Sequence, residues 1–234
     1  MLSAIRQDIR AVKQRDPAAP STLQIILAYP GVHAIWAHRI NHWLWVRGAK
    51  LAARVFAEFT RVATGVEIHP GAILGTALFI DHATGVVIGE TAEVGDDVTI
   101  FHGVTLGGTS PEPGKRHPTI GDRVVIGAGA KILGPIKIGD DSRIGANSVV
   151  VREVPSSAVV VGVPGQVVSR DRTDNTYTQE DTMLPDLVGV SLQSLLTRVA
   201  RLEALGPGTQ NGQQTGRVIR PPDAGVWHGE DFSI

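Results

Sequence analysis

The chain has 234 residues, with 22 Lys and Arg against 23 Asp and Glu, and no cysteine. Balanced charge leaves no broad basic field for nucleic acid, and the absence of cysteine excludes disulfides and thiolate chemistry. Gly is high at 27 residues and aromatics are only 5%, a poor fit to an ordinary helical bundle. The opening MLSAIRQDIRAVKQRD is charged throughout and lacks the apolar core of a secretory signal. Residues 22–46 are the most apolar helical stretch, but Pro30, Arg39 and Asn41 interrupt them, so a membrane span is not expected. A cytoplasmic protein with no membrane or nucleic-acid partner is the expectation.

Residues 1–64 read as a helical region. A first helix runs from about Ser3 to Arg15 and stops near Asp16-Pro17, because the residue before proline is pushed out of the helical region. A second starts at Ser21, with Gln24 placed for a capping box. A third, about 31–47, sets Val32, Trp36, Ile40, Trp43 and Leu44 on one face at helical spacing. Gly48 ends it, and a fourth helix reaches Gly65. Packing and assembly are the expected roles of this region.

Residues 65–170 follow another rhythm. Ile88, Val94, Ile100 and Leu106 are six apart, and so are Ile120, Ile126, Ile132, Ile138, Ile144 and Val150, most of them followed directly by glycine. A parallel row runs through Ile68, Leu74, Ile80, Val86, Ala92, Val98 and Val104. A period of six marks a hexapeptide β-helix, in which aliphatic residues stack inward and small residues turn the corners. Residues 107–119, GGTSPEPGKRHPT, cannot continue a coil and read as an exposed loop carrying Lys115, Arg116 and His117. Residues 171–234 combine a polar linker, a helical stripe over 184–205, flexible filler at 207–216 and a tail ending in Ile234.

Stepping back six places from Ile88 lands on His82, where the pattern asks for an aliphatic residue. Burying an unpaired imidazole is unfavourable, so His82 is expected to point outward through a local irregularity. Two chemistries are open to such a histidine. Three imidazoles, His82, His102 and His117, could converge on zinc as in the gamma-class carbonic anhydrases. Asp81 beside His82 and the cations Lys115 and Arg116 beside His117 argue against that, and no metal is expected. Alternatively His82 is a general base, which needs a partner on its other ring nitrogen. Glu67 lies fifteen residues upstream, close to one coil, and is the candidate partner. His33, His38 and His42 on the third helix read as surface or interface packing.

The stretches EIHPGA, IDHATGVVIGETA, HGVTLGG, KRHPTIGDRVVIGAGAKILG and IGANSVV, with RDPA at 15–18 and HRINHWLW at 38–45, resemble the serine acetyltransferases, most closely the short actinobacterial form. The resemblance covers nearly the whole chain. It implies a left-handed parallel β-helix preceded by a helical region, assembled as a homotrimer with clefts between subunits. It implies transfer of acetyl from acetyl-CoA to L-serine, giving O-acetyl-L-serine and CoA in cysteine biosynthesis, with L-cysteine as feedback inhibitor. His82 matches the general base, and Glu67 falls where the family usually has an aspartate. This is a departure, since the longer side chain must reorient to make the same contact. Asp16 and Asp81 match residues that hold the substrate amine, and Arg116 and His117 those that bind its carboxylate. Glu90 matches another acidic residue of the site. Gly108 and Ala128 match backbone contacts to the pantetheine arm, and Arg143 stands where many members have a lysine near the nucleotide phosphates. The terminal Ile234 implies docking into O-acetylserine sulfhydrylase. The helical region is shorter than in the enterobacterial enzymes, which favours a lone trimer. The rival readings are a metal-dependent hydratase, another hexapeptide O-acetyltransferase and a non-catalytic scaffold.

Overall fold

The computed structural model describes residues 2–19, 21–169 and 195–199. The chain divides into two compact units, Met1–Leu184 and Pro185–Ile234. In the second, residues 195–199 are helical, within the expected 184–205 helix. The linker from 171, the filler at 207–216 and the tail with Ile234 lie outside the described residues.

Four helices lead: α1 (Leu2–Arg15), α2 (Thr22–Ala28), α3 (Pro30–Val46) and α4 (Lys50–Thr64). Ser21 caps α2 by accepting the Gln24 N–H at 3.2 Å. Gly65 closes α4 in the left-handed conformation, φ 73°. Among the described residues no helix is long and apolar enough to cross a membrane.

Coils follow, the first four turning through three short strands each. The first holds β1 (Glu67–Ile68), β2 (Ile73–Leu74) and β3 (Phe79–Asp81), and the second β4 (Val87–Ile88), β5 (Glu93–Val94) and β6 (Thr99–Phe101). The third holds β7 (Thr105–Gly107), β8 (Thr119–Ile120) and β9 (Val125–Ile126), and the fourth β10 (Lys131–Leu133), β11 (Lys137–Ile138) and β12 (Arg143–Ile144). The last has β13 (Val149–Val150) and β14 (Val159–Val161), with β15 (Gln166–Ser169) turning back antiparallel. Stacked coils make three parallel sheets: β1-β4-β7-β10-β13, β2-β5-β8-β11 and β3-β6-β9-β12-β14, the last edged by β15. We name the three corners of this prism by their contents: the loop corner (first to second sheet), the aspartate corner (second to third) and the histidine corner (third to first).

Ile88, Ile100, Leu106, Ile120, Ile126, Ile132 and Ile138 are fully buried along the axis. Each such side chain contributes about 1.5–3 kcal/mol of burial, so the repeat itself holds the prism together.

Register corrects the expected rows. Ile68 pairs with Ile88, 20 residues on, whereas Ile88 pairs with Leu106, 18 on. Asp81 is level with Phe101, and the Gly103 N–H bonds the Thr84 carbonyl. Thr84 therefore matches His102, and His82-Ala83 is a two-residue insertion. Ile68, Leu74 and Ile80 continue as Ile88, Val94 and Ile100, not as Val86, Ala92 and Val98. His82 is thus an added residue and replaces no aliphatic one.

The buried face of α3 also differs from the expected one. Gly31, Val32, Ala34, Ile35, His38 and Asn41 are buried, while Ile40 and Trp43 are 52% and 51% exposed. Helix and coil meet so closely at Gly31 that a Cβ there would strike the Ile80 carbonyl. This close approach fixes the rotation of α3, and polar His38 and Asn41 turn inward with it. Asp8 of α1 is buried too, held by Arg39 at 2.9 Å and by the Trp36 indole N–H at 3.2 Å.

Candidate active site

At the histidine corner the inserted pair takes up left-handed backbone, φ 57° at His82 and 52° at Ala83. Two such non-glycine residues in succession are unfavourable. The kink buries Ala83 and throws out His82, whose side chain is 75% exposed. Its Nε2 lies 3.8 Å from Asp81 Oδ2, and its ring meets that of His102 edge-on with centroids 5.8 Å apart. Ala128 occupies the position of His102 one coil further along, since the Gly129 N–H bonds the His102 carbonyl.

The helical region brings Asp16 to this corner. Arg15 is anchored on the coil through Asp97, Thr99 Oγ1 at 3.2 Å and the Ala77 carbonyl at 3.3 Å. Asp16 follows, its Oδ2 accepting the Tyr29 hydroxyl at 2.6 Å. Burial raises the pKa of Asp81, the negative charge of Asp16 adds to that, and His82 opposes it. Two carboxylates and an exposed imidazole thus share one edge of the prism, a setting for an ammonium group and a proton acceptor.

Glu67 does not join them within the chain. It sits exposed on β1 opposite Val87, and its charge acts on Arg61. Glu67 to Asp81 spans the same stretch of coil as Val87 to Phe101, and among the described residues the ion pair of His82 is with Asp81. The carboxylate nearest His82 Nε2 is Asp81.

The loop corner gathers the other candidates. Thr91 is its hub: Oγ1 accepts the backbone N–H groups of Arg116 (3.0 Å) and His117 (3.1 Å). Its own hydroxyl then donates to His117 Nδ1 at 2.9 Å, which also receives the Thr91 N–H at 3.2 Å. Nδ1 accepts, so the neutral ring carries its proton on Nε2. Gly89 makes room, because a Cβ there would run into the imidazole. Lys115 pins the loop end to the Thr91 carbonyl (2.7 Å) and Glu93 (2.9 Å). Arg116 is held by Glu90, whose carboxyl stays below its usual pKa chiefly through that hydrogen bond. Burial and the Arg116 charge lower the His117 pKa. Gly108, at the start of the loop, packs against Arg116 and His117. A guanidinium and an imidazole N–H fixed in this way suit a carboxylate.

Arg143 lies apart on β12, level with Val125 and Val159. His82 and His102 are neighbours, while His117 belongs to the other corner. Among the described residues no three His, Cys, Asp or Glu side chains are grouped as a metal would require. Sequence reasoning missed Thr91 and Tyr29. Neither has a titration or spacing signature, and each acts by holding a residue that does.

Two family models match the chain, one for bacterial transferase hexapeptide repeats at residues 117–152 and one for the serine acetyltransferase N-terminal region at residues 1–37. A serine acetyltransferase of Mycobacterium tuberculosis is 70% identical over the full length of both chains. The chain belongs to the serine acetyltransferase family. These are acyltransferases, and the hexapeptide coil with its leading helices is their architecture. A solved serine acetyltransferase in complex with cysteine superposes with TM-score 0.73 at 46% identity, covering 74% of this chain and 67% of that one. The enzyme of Brucella abortus in complex with coenzyme A gives 0.71 at 48% identity, covering 72% and 68%.

Proposed function

We propose that the protein transfers an acetyl group from acetyl-CoA to the hydroxyl of L-serine, releasing O-acetyl-L-serine and CoA for cysteine biosynthesis, without a metal. One observation carries the reading: a two-residue insertion, which makes the first coil 20 residues against 18 in the second, projects His82 beside Asp81, in a chain 70% identical to a serine acetyltransferase. His82 takes the proton from the serine hydroxyl as its oxygen attacks the thioester carbonyl. The tetrahedral adduct collapses, the C–S bond breaks, and the proton passes from His82 to the departing thiolate. Such general-base help contributes about 10²–10⁴-fold. Asp16 and Asp81 hold the ammonium, Arg116 and His117 the carboxylate, with Glu90 setting the guanidinium. From the resemblance, Glu67 orients His82, Gly108 and Ala128 meet the pantetheine arm, and Arg143 faces the nucleotide phosphates.

The amine half and the carboxylate half lie at different corners of one chain. From Thr84 to Glu90 the backbone crosses the first sheet, a span of ~20 Å for six extended residues. Serine is far too short to bridge that span. We therefore propose a homotrimer with the histidine corner of one subunit facing the loop corner of the next. The cysteine complex of a relative supports inhibition by L-cysteine, which shares the amine and carboxylate of serine. We extend the proposal to a cytoplasmic enzyme whose Ile234 docks into O-acetylserine sulfhydrylase through its free carboxylate; deleting Ile234 should abolish that complex and spare acetyl transfer. The direct test is release of CoA thiol from acetyl-CoA with L-serine, set against other amino acids and sugars. Turnover with serine alone supports the assignment, and preference for a sugar or another amino acid overturns it.

A further inference from the structure

Asp16 is the one proposed substrate contact carried by the helical region, so no coil register fixes its carboxylate. Two hydrogen bonds hold it: Ala18 N–H to Oδ1 at 2.7 Å and Tyr29 O–H to Oδ2 at 2.6 Å. The tyrosine stands on a rigid platform. It precedes Pro30, which keeps it extended at φ −104°, ψ 97°. Its body packs on the buried cluster Val12, Ile25, Val32 and Phe79, and Phe79 is two residues from Asp81 on the same strand. Tyr29 has a single hydroxyl proton to give, and Asp16 receives it. Burial, then the hydrogen bond to Asp16, push its pKa up to about 12, so the proton stays in place. The charge of Asp81 acts on the same hydroxyl, so Tyr29 lies within electrostatic reach of both acids.

Asp16 and Asp81 repel each other, as the raised pKa of Asp81 reflects in part. Held by the Ala18 N–H alone, a carboxylate on a segment outside the coil would be free to turn away from its like-charged neighbour. We propose that Tyr29 is a positioning residue of the amine subsite, holding the Asp16 carboxylate toward Asp81 so that both charges flank one substrate ammonium. The inference rests on reading Asp16 and Asp81 as the amine contacts.

The test uses the full-length enzyme carrying Tyr29→Phe, which keeps the ring and removes only the hydroxyl. Losing one hydrogen bond to a charged binding group should raise the serine KM about 5- to 10-fold, with kcat within about twofold and the acetyl-CoA KM unchanged. Inhibition by L-cysteine should weaken in parallel. Inhibition by 3-mercaptopropionate, which has the thiol and carboxylate but no amine, should not change. An unchanged serine KM, or equal weakening of both inhibitors, overturns the proposal, the second by revealing general distortion. Asp16→Asn separates the two layers. If it raises the serine KM while Tyr29→Phe is silent, only the tether is refuted. If Asp16→Asn is itself silent, the amine-subsite reading fails and takes the tether with it.

Discussion

At the aspartate corner Asp96, Asp122 and Asp140 stand one above another. Their carboxylates accept the backbone N–H groups of Thr76 (2.6 Å), Asp96 (2.8 Å) and Asp122 (3.0 Å). At the histidine corner the same backbone plan gains two residues, bends them into left-handed conformation, and leaves an imidazole in the open. Polar side chains at the first corner satisfy the coil. Those at the second are held away from it and beside one another. Left-handed residues also turn the aspartate corner, singly at Ala77, Asp97, Arg123 and Asp141, so what sets the histidine corner apart is the inserted pair and the imidazole it exposes. The regular repeat supplies rigidity, and the place where it is broken supplies chemistry.

The comparison breaks most sharply at His82. His82→Ala should lower turnover about 10²–10⁴-fold, with circular dichroism and oligomeric state unchanged, because the side chain packs against no core. His82→Gly should be equally inactive yet slightly more stable to heat, since glycine takes φ 57° without strain. Near-normal turnover in either variant would remove the histidine corner from the mechanism.

A buried histidine should behave in the opposite manner. His38 is 3% exposed, and burial, with His42 adding, pushes its pKa down to about 3. Below about pH 6.5 the unfolded chain takes up a proton that the folded chain refuses, so its contribution to stability is intact above that pH and is lost as pH falls toward 3. The loss amounts to as much as ~1.4 kcal/mol per pH unit. His38→Gln should flatten the acid limb of urea stability measured from pH 7 to 4 by up to that slope. An unaltered acid limb would mean His38 titrates normally.

The smallest effect belongs to the aspartate corner. Asp122→Ala leaves the Asp96 N–H without its acceptor, which should remove about 1 kcal/mol of stability. It should leave kcat and both KM values unchanged. A large loss of activity from Asp122→Ala would erase the distinction between the corners.

Much of this was legible in the sequence, and the failures have physical causes. The six-residue spacing and the loop at 107–119 gave the coils, because nothing else tolerates aliphatic residues at that period. Register was misread at one point, since Val86, Ala92 and Val98 are also aliphatic and a row drawn straight through the insertion meets no contradiction. The exposure of His82 followed correctly from the energetics of a buried imidazole, although its cause was an insertion and not a substitution. Glu67 was placed by counting along the coil; within the chain the ion pair of His82 is with Asp81, and a Glu67 contact rests on the resemblance. On α3 the apolar count picked Ile40 and Trp43, yet contact through Gly31 turns His38 and Asn41 inward. Thr91 and Tyr29 were illegible because orienting hydroxyls leave no pattern of their own.

The central claim is that the working site joins the histidine corner of one subunit to the loop corner of another. His82→Ala and Arg116→Ala subunits, each prepared separately, should be nearly inactive. Unfolding and refolding them together in equal amounts should restore roughly a quarter of the wild-type rate, the share of interfaces that pair an intact histidine corner with an intact loop corner in a random mixture of cyclic trimers. A mixture no more active than its two components, with mixed trimers present by mass spectrometry, would contradict the account and return the site to a single chain.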